Sequence, residues 1–220
     1  MDAHTLISLL GEETLKTLYM TLVGTLVAYI IGLPIGVSLI VTGPNGIHPM
    51  GLYNKVMGFI VNVIRSVPFL ILMIAIMPYI RIVIGTGIGP RATTAALIVA
   101  AAPFVARMVE QSLLEVDPGV IEAAKAMGAS NMQIVWKVLL PEARPSLFNG
   151  AAVATITILG YSAMAGTLGG GGLGDVAIRY GLYRFQPTIM WITIVILVIL
   201  VQILQELGVR LVTKTDNRIN

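Results

Sequence analysis

Five long apolar runs constrain what this chain can fold into more than any other feature of its sequence. Each run is close to the roughly 20 residues that a helix needs to cross the hydrocarbon core of a bilayer. We place the runs at about residues 15–41, 56–79, 92–108, 147–164 and 188–212. Only 11% of the 220 residues are charged, whereas about 25% are charged in ordinary soluble domains. The sequence therefore predicts an all-α membrane protein with five transmembrane helices, folded as a single domain over residues 1–220 with its core at about 13–212.

The distribution of lysine and arginine predicts which side of the membrane each connection occupies. With five crossings, eight of these residues fall on one side: Lys55, Arg107, Lys125, Lys137, Arg144, Arg210, Lys214 and Arg218. Five fall on the other side: Lys16, Arg81, Arg91, Arg179 and Arg184. Because cytoplasmic connections are enriched in positive side chains, we expect the N-terminus outside and the C-terminus in the cytoplasm. The same rule places the polar segment at residues 117–141 in the cytoplasm.

The segment at residues 117–141 predicts two short helices joined at a glycine. Asp117 is a favoured N-cap residue, and Gly128 suits the left-handed conformation that ends many helices. Ser130 and Gln133 have the S-x-x-Q spacing of a capping box, which would start a second helix at once. An amphipathic loop lying on the bilayer surface is an alternative interpretation of the same pattern.

Each of these two short helices has apolar residues at helical spacing, which predicts one apolar face per helix. The first predicted face comprises Val120, Ala123, Ala124 and Met127. The second comprises Met132, Val135, Trp136 and Leu139. We expect the second pattern to end at Pro141.

The residues of this segment resemble the EAA loop of permeases from binding-protein-dependent ABC importers. The matching positions are Glu122, Ala123, Ala124, Gly128, Val138, Leu140 and Pro141. Only Val138 departs from the family's usual residue, which is isoleucine. The resemblance implies that the segment forms cytoplasmic coupling helices that dock on a separate ATPase subunit. The ATPase-coupling residues that it implies are Glu122, Ala123, Ala124, Gly128, Ala129, Leu140 and Pro141.

A glycine-rich stretch follows the fourth apolar run. Gly169, Gly171 and Gly174 have G-x-G-x-x-G spacing, which in dinucleotide-binding proteins joins a strand to a helix within a βαβ unit. The surrounding sequence has neither a strand pattern nor the acidic residue expected about 20 positions later. A tight turn between two membrane-crossing helices is the simpler interpretation. The backbone freedom of consecutive glycines would also suit an outer gate.

Residues 161–180 resemble the permeases of methionine importers in particular. The resemblance implies a type I ABC importer fold, a homodimer of this chain, two ATP-binding cassette subunits and an external substrate-binding protein. It also implies a substrate pathway or gate at Tyr161, Ser162, Met164, Gly169, Gly170, Gly171 and Gly172. A permease for another amino acid and a transporter driven by an ion gradient are the alternatives. The gradient-driven alternative is disfavoured because the chain has no internal repeat and no deeply placed carboxylate.

The sequence has few residues that would support chemistry within this chain. It has no G-x-x-x-x-G-K-[ST] sequence, so we expect ATP and magnesium on the partner ATPase and no cofactor on this chain. The sequence has neither a His–Ser–Asp set nor an H-E-x-x-H motif, so nothing in it predicts an enzyme. His4 and His48 lack neighbouring metal ligands. The net charge of +3 is scattered, which fits contact with a bilayer and does not indicate nucleic acid. We expect a multi-pass permease of a bacterial cytoplasmic membrane.

Arg65 is the one charged residue well inside a predicted membrane-crossing run. A charge at that depth needs a partner or water. Two interpretations are open: an ion pair with Glu110, or contact with the carboxylate of a substrate. Arg107 lies three residues before Glu110, which is also the spacing of an ion pair within one helix.

Overall fold

The computed structural model describes residues 2–215, and within that range the regular secondary structure is helical. Two of the positive residues assigned above to the cytoplasmic side are not fully described. The description leaves out the side chain of Lys214 and the whole of Arg218. The helices are α1 (Ala3–Thr42), α2 (Gly51–Ser66), α3 (Phe69–Ile84), α4 (Pro90–Leu114), α5 (Pro118–Ala126), α6 (Asn131–Ile134), α7 (Leu140–Glu142), α8 (Arg144–Ala165), α9 (Gly172–Val176) and α10 (Pro187–Thr215). A π-helical segment (Val135–Leu139) joins α6 to α7. A second π-helical segment (Ala177–Tyr183) follows α9.

Four single helices within residues 2–215 are long and apolar enough to cross a membrane, namely α1, α4, α8 and α10. The pair α2 and α3 passes the same test together, but the two helices are bent by 106°. The span predicted at residues 56–79 is therefore made of two helices that meet at a break. Pro68 explains the break, because proline disfavours the helical conformation of the residue before it. Val67 is accordingly extended, with φ −82° and ψ 127°.

The long helices also extend beyond the predicted apolar runs. Helix α1 begins at Ala3 rather than near residue 15, so that Glu12 and Glu13 belong to the same helix as the first apolar run. Its 40 residues give a length of about 60 Å at 1.5 Å per residue. Helices α4, α8 and α10 likewise continue into polar sequence. Hydrophobicity marks the part of a helix that lipid can surround, and a helix does not have to end there.

Helix α4 forms the centre of the bundle and packs against α1, α2, α3 and α8. Its side chains Leu97, Val105 and Val109 are fully buried. Helix α10 packs on the outer side of α8, where Gly208 leaves room for Ala152. Most of the outward surface of α10 is apolar and exposed, as is typical of a helix that faces lipid.

Glycines allow α1 to approach α4 closely. A Cβ atom at Gly32 would lie 2.8 Å from the carbonyl oxygen of Ala102, and one at Gly36 would lie 2.5 Å from that of Ala106. Small residues are typical of such contacts because helix association in a membrane depends on close packing rather than on burial from water.

We predict that Gly36→Val destabilises the protein by about 1–3 kcal/mol, because the added side chain would overlap α4. The apparent Tm of the purified protein in detergent should fall. The matched control is Gly11→Val in the same helix, since a Cβ atom at Gly11 would meet nothing within 4 Å. An equal loss of Tm in both variants would contradict the packing role of Gly36.

Candidate functional site

The segment between α4 and α8 has the local structure that its sequence predicts. The backbone N–H of Gly119 donates to Asp117 Oδ1 at 2.7 Å, which caps α5. Gly128 ends that helix with φ +79°. Ser130 and Gln133 form both bonds of the capping box: the Gln133 N–H donates to Ser130 Oγ at 3.4 Å, and the Ser130 N–H donates to Gln133 Oε1 at 2.9 Å. The predicted helix–glycine–helix arrangement is confirmed.

The apolar faces of these helices differ from the prediction. On α5, Ala124 is buried and Ile121 partly buried, whereas Val120 and Ala123 are exposed, as is Met127 directly after the helix. The helix has apolar residues on two adjoining flanks, and periodicity alone does not reveal which flank packs inward.

The second short helix is divided in the same way. Val135 and Leu139 are buried, and Met132 and Trp136 are exposed. The indole N–H of Trp136 donates to Met132 Sδ at 3.1 Å, which holds these two exposed side chains together. We call the set Val120, Ala123, Met127, Met132 and Trp136 the exposed apolar surface of the loop.

The other residues of the predicted coupling set differ in how exposed they are. Glu122 is exposed and, with Lys125, lines a cavity of about 600 Å³ between α5 and the loop after α1. Ala129, Leu140 and Pro141 are partly buried where the segment joins the bundle. The chain continues as helix through Pro141 to Glu142, slightly beyond the predicted end.

The glycine-rich stretch lies at the opposite end of the bundle from α5 and is held by several bonds. The Gly89 N–H donates to the Gly169 carbonyl at 3.0 Å, and Thr93 Oγ1 donates to the Gly170 carbonyl at 3.4 Å. Gly169, Gly171 and Gly172 all have φ between 75° and 80°. A Cβ atom at Gly170 would lie 2.6 Å from Thr93 Oγ1, so close approach as well as conformation requires glycine here. Within residues 2–215 no strand precedes these glycines, so the βαβ context of a dinucleotide site is missing.

Two residues of α1 bind the start of α9. The Gly172 N–H donates to Glu13 Oε2 at 2.6 Å, and the Leu173 N–H donates to Thr17 Oγ1 at 2.8 Å. Glu13 is 4% exposed, and its second carboxylate oxygen accepts from Lys16 Nζ at 2.9 Å. We call these contacts the Glu13 clasp.

Sequence reasoning missed the Glu13 clasp. Glu13 and Gly172 are 159 positions apart, so no local pattern could pair them. The available signal was the placement of Glu13 and Thr17 four residues apart on one helical face, but such pairs are common on polar helix ends.

The predicted pathway residues of α8 fall in different environments. The ring of Tyr161 stacks on that of Phe69, with centroids 4.5 Å apart. Met164 is 52% exposed. Ser162 is buried and donates to the Leu159 carbonyl at 2.7 Å, so that its hydroxyl serves its own helix and faces no open surface of this chain.

Of the two arginines that could pair with Glu110, Arg107 does so and Arg65 does not. Arg107 donates to Glu110 and, through Nε and Nη2, to Asn62 Oδ1 at 3.2 and 2.9 Å. The predicted ion pair between Arg107 and Glu110 is confirmed. The interpretation that pairs Arg65 with Glu110 is wrong. Arg65 is exposed and has no hydrogen bond or ion pair with any residue in the range 2–215.

Comparison with known proteins defines the class to which this fold and these loops belong. Residues 28–214 match the family described as "Binding-protein-dependent transport system inner membrane component", and the chain belongs to this family. The chain is 49% identical to the "Probable D-methionine transport system permease protein MetI" of Vibrio cholerae over 210 residues, which cover 96% of this chain and 93% of the relative. It is 50% identical to the D-methionine transport system permease protein MetI of Escherichia coli K12 over 158 residues, which cover 72% of this chain and 73% of that protein.

Solved structures agree with this membership. A chain of the MetNI methionine ABC transporter, in an inward-facing conformation, aligns with a TM-score of 0.96 and 46% identity, covering 99% of this chain and 100% of that chain. A chain of an amino acid ABC transporter solved with histidines aligns with a TM-score of 0.73 at 20% identity, covering 99% of both chains. The similarity to the amino acid transporter supports only the fold, because the identity is 20%. The similarity to the methionine transporter is to a structure in an inward-facing conformation.

We predict that Glu13→Ala weakens the hold of α1 on the glycine-rich stretch, because the Gly172 N–H loses its acceptor. Amide hydrogen exchange at Gly172 should accelerate by about tenfold or more. The matched control is Glu12→Ala, which removes an exposed carboxylate that binds the same Lys16 but not the backbone of α9. Unchanged protection of Gly172 in Glu13→Ala would contradict the clasp.

Proposed function

We propose that this chain is the permease subunit of an ATP-dependent importer that carries methionine across a bacterial cytoplasmic membrane. The observation that carries the proposal is the alignment over 99% of the chain, at 46% identity, with a chain of a methionine ABC transporter. The curated relatives at 49% and 50% identity are named as D-methionine transport permeases, which points to the same substrate class. Transport of methionine by this chain is inferred from those proteins.

We propose that the segment 117–141 couples the permease to ATP hydrolysis on a partner, and we call this segment the coupling loop. The chain has no phosphate-binding sequence of its own, so ATP and magnesium belong to the partner. The exposed apolar surface of the loop suits a partner's groove, because large apolar side chains such as Met127 (82% exposed) are costly to leave in water. Glu122, Ala123, Ala124, Gly128, Ala129, Leu140 and Pro141 are the coupling residues of this proposal.

The proposed assembly contains two copies of this permease, two ATP-binding cassette subunits and an external substrate-binding protein. With five crossings the two ends of the chain lie on opposite sides, the N-terminus outside. This orientation places the coupling loop beside the cytoplasmic ATPase and the Glu13 clasp on the external side. The charge distribution and the need for ATP at the loop support the same orientation.

The geometry suggests how the chain would carry out its part of the cycle. The described conformation aligns closely with an inward-facing structure, in which the outer side is expected to be closed. In that state the Glu13 clasp and the Thr93 contact would hold the glycine-rich stretch closed. Closure of the ATPase subunits would move the coupling loop, and the permease would open outward when these bonds break. Hydrolysis would then return the permease to the inward-facing state.

We predict that uptake of labelled methionine depends on this chain when it is produced together with its ATPase and binding protein. Excess unlabelled methionine should block the uptake, whereas arginine or glutamine should not. Cells that lack only this chain are the control. Equal competition by a polar amino acid would reassign the importer to another substrate.

We predict that Gly128→Val impairs uptake at matched membrane levels. A side chain at φ +79° carries a conformational cost of about 1–2 kcal/mol, and valine would also widen the corner between the two coupling helices. Gly128→Asn should retain more activity, because asparagine tolerates the left-handed conformation better.

Gly51→Val is the matched control for Gly128→Val. Gly51 begins α2, no atom lies within 4 Å of its Cβ position, and its φ is not positive. Pull-down of the ATPase subunit distinguishes lost docking from lost transmission of movement. Normal uptake together with normal ATPase recovery in Gly128→Val would remove Gly128 from the coupling site.

A further inference from the structure

Helix α2 has a polar stripe on one exposed face. Asn62, Arg65 and Ser66 are spaced at i, i+3 and i+4, so they lie side by side on the helix, and all three are exposed. The residues around them in α2 are mostly apolar, including Phe59, Ile60 and Val63. The stripe is therefore a local polar surface on an otherwise apolar helix.

The stripe lies near the middle of the bundle. Asn62 accepts from Arg107, which is about 10 Å from the α5 end of α4 at 1.5 Å per residue. Arg65 lies about one helical turn deeper along α2. An arginine facing lipid at this depth is costly, so its face is expected to meet a water-filled cavity or another protein surface.

Among residues 2–215, no carboxylate at that depth is left without an arginine of its own. Glu110 and Glu206 lie in the inner halves of long helices, and each already binds an arginine of its own helix. Glu12, Glu13 and Asp175 lie at the glycine-rich end and bind Lys16 or Arg179. The other acidic side chains in the range 2–215 belong to the start of the chain or to residues 115–142. A second copy of the same chain would bring only the same set of carboxylates.

The break between α2 and α3 adds an independent reason to expect an anion here. Helix α3 starts at Phe69, four residues after Arg65, and the first N–H groups of a helix carry partial positive charge without an intrahelical acceptor. Broken helices near the middle of the membrane are typical places for substrate binding in transporters. Phe69, the first residue of α3, is buried and stacks on Tyr161 of α8, which anchors the break to the bundle.

We propose that Arg65 binds the α-carboxylate of the transported amino acid, beside the break that separates α2 from α3. The inference rests on the proposed function, because it assumes that an amino acid passes along the face of α2. Arg65 would give the pathway one charged contact. Binding through a single carboxylate is weak enough to be reversed, so the amino acid could move on.

The absence of cysteine from the chain makes a direct test possible. Ser66→Cys introduces a single thiol beside Arg65 while leaving the guanidinium in place. In membrane fragments containing the permease–ATPase complex, a charged methanethiosulfonate reagent should modify this thiol, because the stripe meets water. L-methionine should slow the modification several-fold, and methioninamide, which lacks the carboxylate, should not. Adding Arg65→Gln to the same protein should abolish the protection.

Uptake measurements provide the second test. Arg65→Gln should lower methionine uptake at limiting concentration by about tenfold or more, and Arg65→Lys should retain a larger share because it keeps the charge. The matched control is Arg81→Gln, which removes another exposed arginine near the end of α3 and should leave uptake unchanged. All variants are compared at equal membrane level and equal recovery of the ATPase subunit.

Several outcomes would overturn the proposal. They are an unreactive thiol at Ser66→Cys, equal protection by methionine and methioninamide, and protection that persists in Arg65→Gln. Wild-type uptake by Arg65→Gln would do the same. Failure of the proposed function looks different: the unmodified chain would carry another amino acid and not methionine. The thiol test, repeated with that amino acid and its amide, would still decide the role of Arg65.

Discussion

Close packing of α1 on α4 is the contact on which the rest of the structure depends. Helices in a bilayer gain little from hiding apolar side chains, because lipid is as apolar as the side chains themselves. Their association therefore rests on backbones that approach closely, and Gly32 and Gly36 of α1 allow this against Ala102 and Ala106. Since α4 also packs against α2, α3 and α8, the α1–α4 contact sets the position of the remaining helices. Both candidate functional loops are attached to this pair, the glycine-rich stretch at one end and the coupling loop at the other.

The two loops are stabilised in different ways, and the difference fits their proposed roles. The segment 117–141 is organised by short-range bonds, in which Asp117 accepts from Gly119 and Ser130 and Gln133 bond to each other. In its proposed coupling role these bonds would let it move as one unit. The glycine-rich stretch is held by bonds to α1 and α4 that span large sequence separations. A rigid body that transmits motion needs internal bonds, whereas a gate needs bonds to its surroundings that can be broken. Glu13 contributes one such bond, with a charged acceptor, which is stronger than a neutral one.

Three arginines illustrate how the same side chain takes different roles along this chain. Arg107 is satisfied by Glu110 and Asn62 and ties α4 to α2. Arg179 is satisfied by Asp175 next to the glycine-rich stretch. Arg65 has no partner within the described residues and lies beside a break in the helix. A charge at membrane depth needs a partner or water, and Arg65 is the one of these three arginines for which the described residues supply no partner.

The sequence by itself determined the features that depend on neighbouring residues. Apolar runs predicted the long helices, and Asp117, Gly128, Ser130 and Gln133 predicted the coupling loop down to its caps, because a cap bond joins residues at most three or four positions apart. The tertiary structure decided the features that depend on residues far apart. These are the burial of Ala124 rather than Met127, the bend of 106° between α2 and α3, and the bond from Glu13 to Gly172. Local patterns record which conformations a segment can adopt. Which flank of a helix turns inward, and which carboxylate meets which N–H, follow only from the way the helices pack.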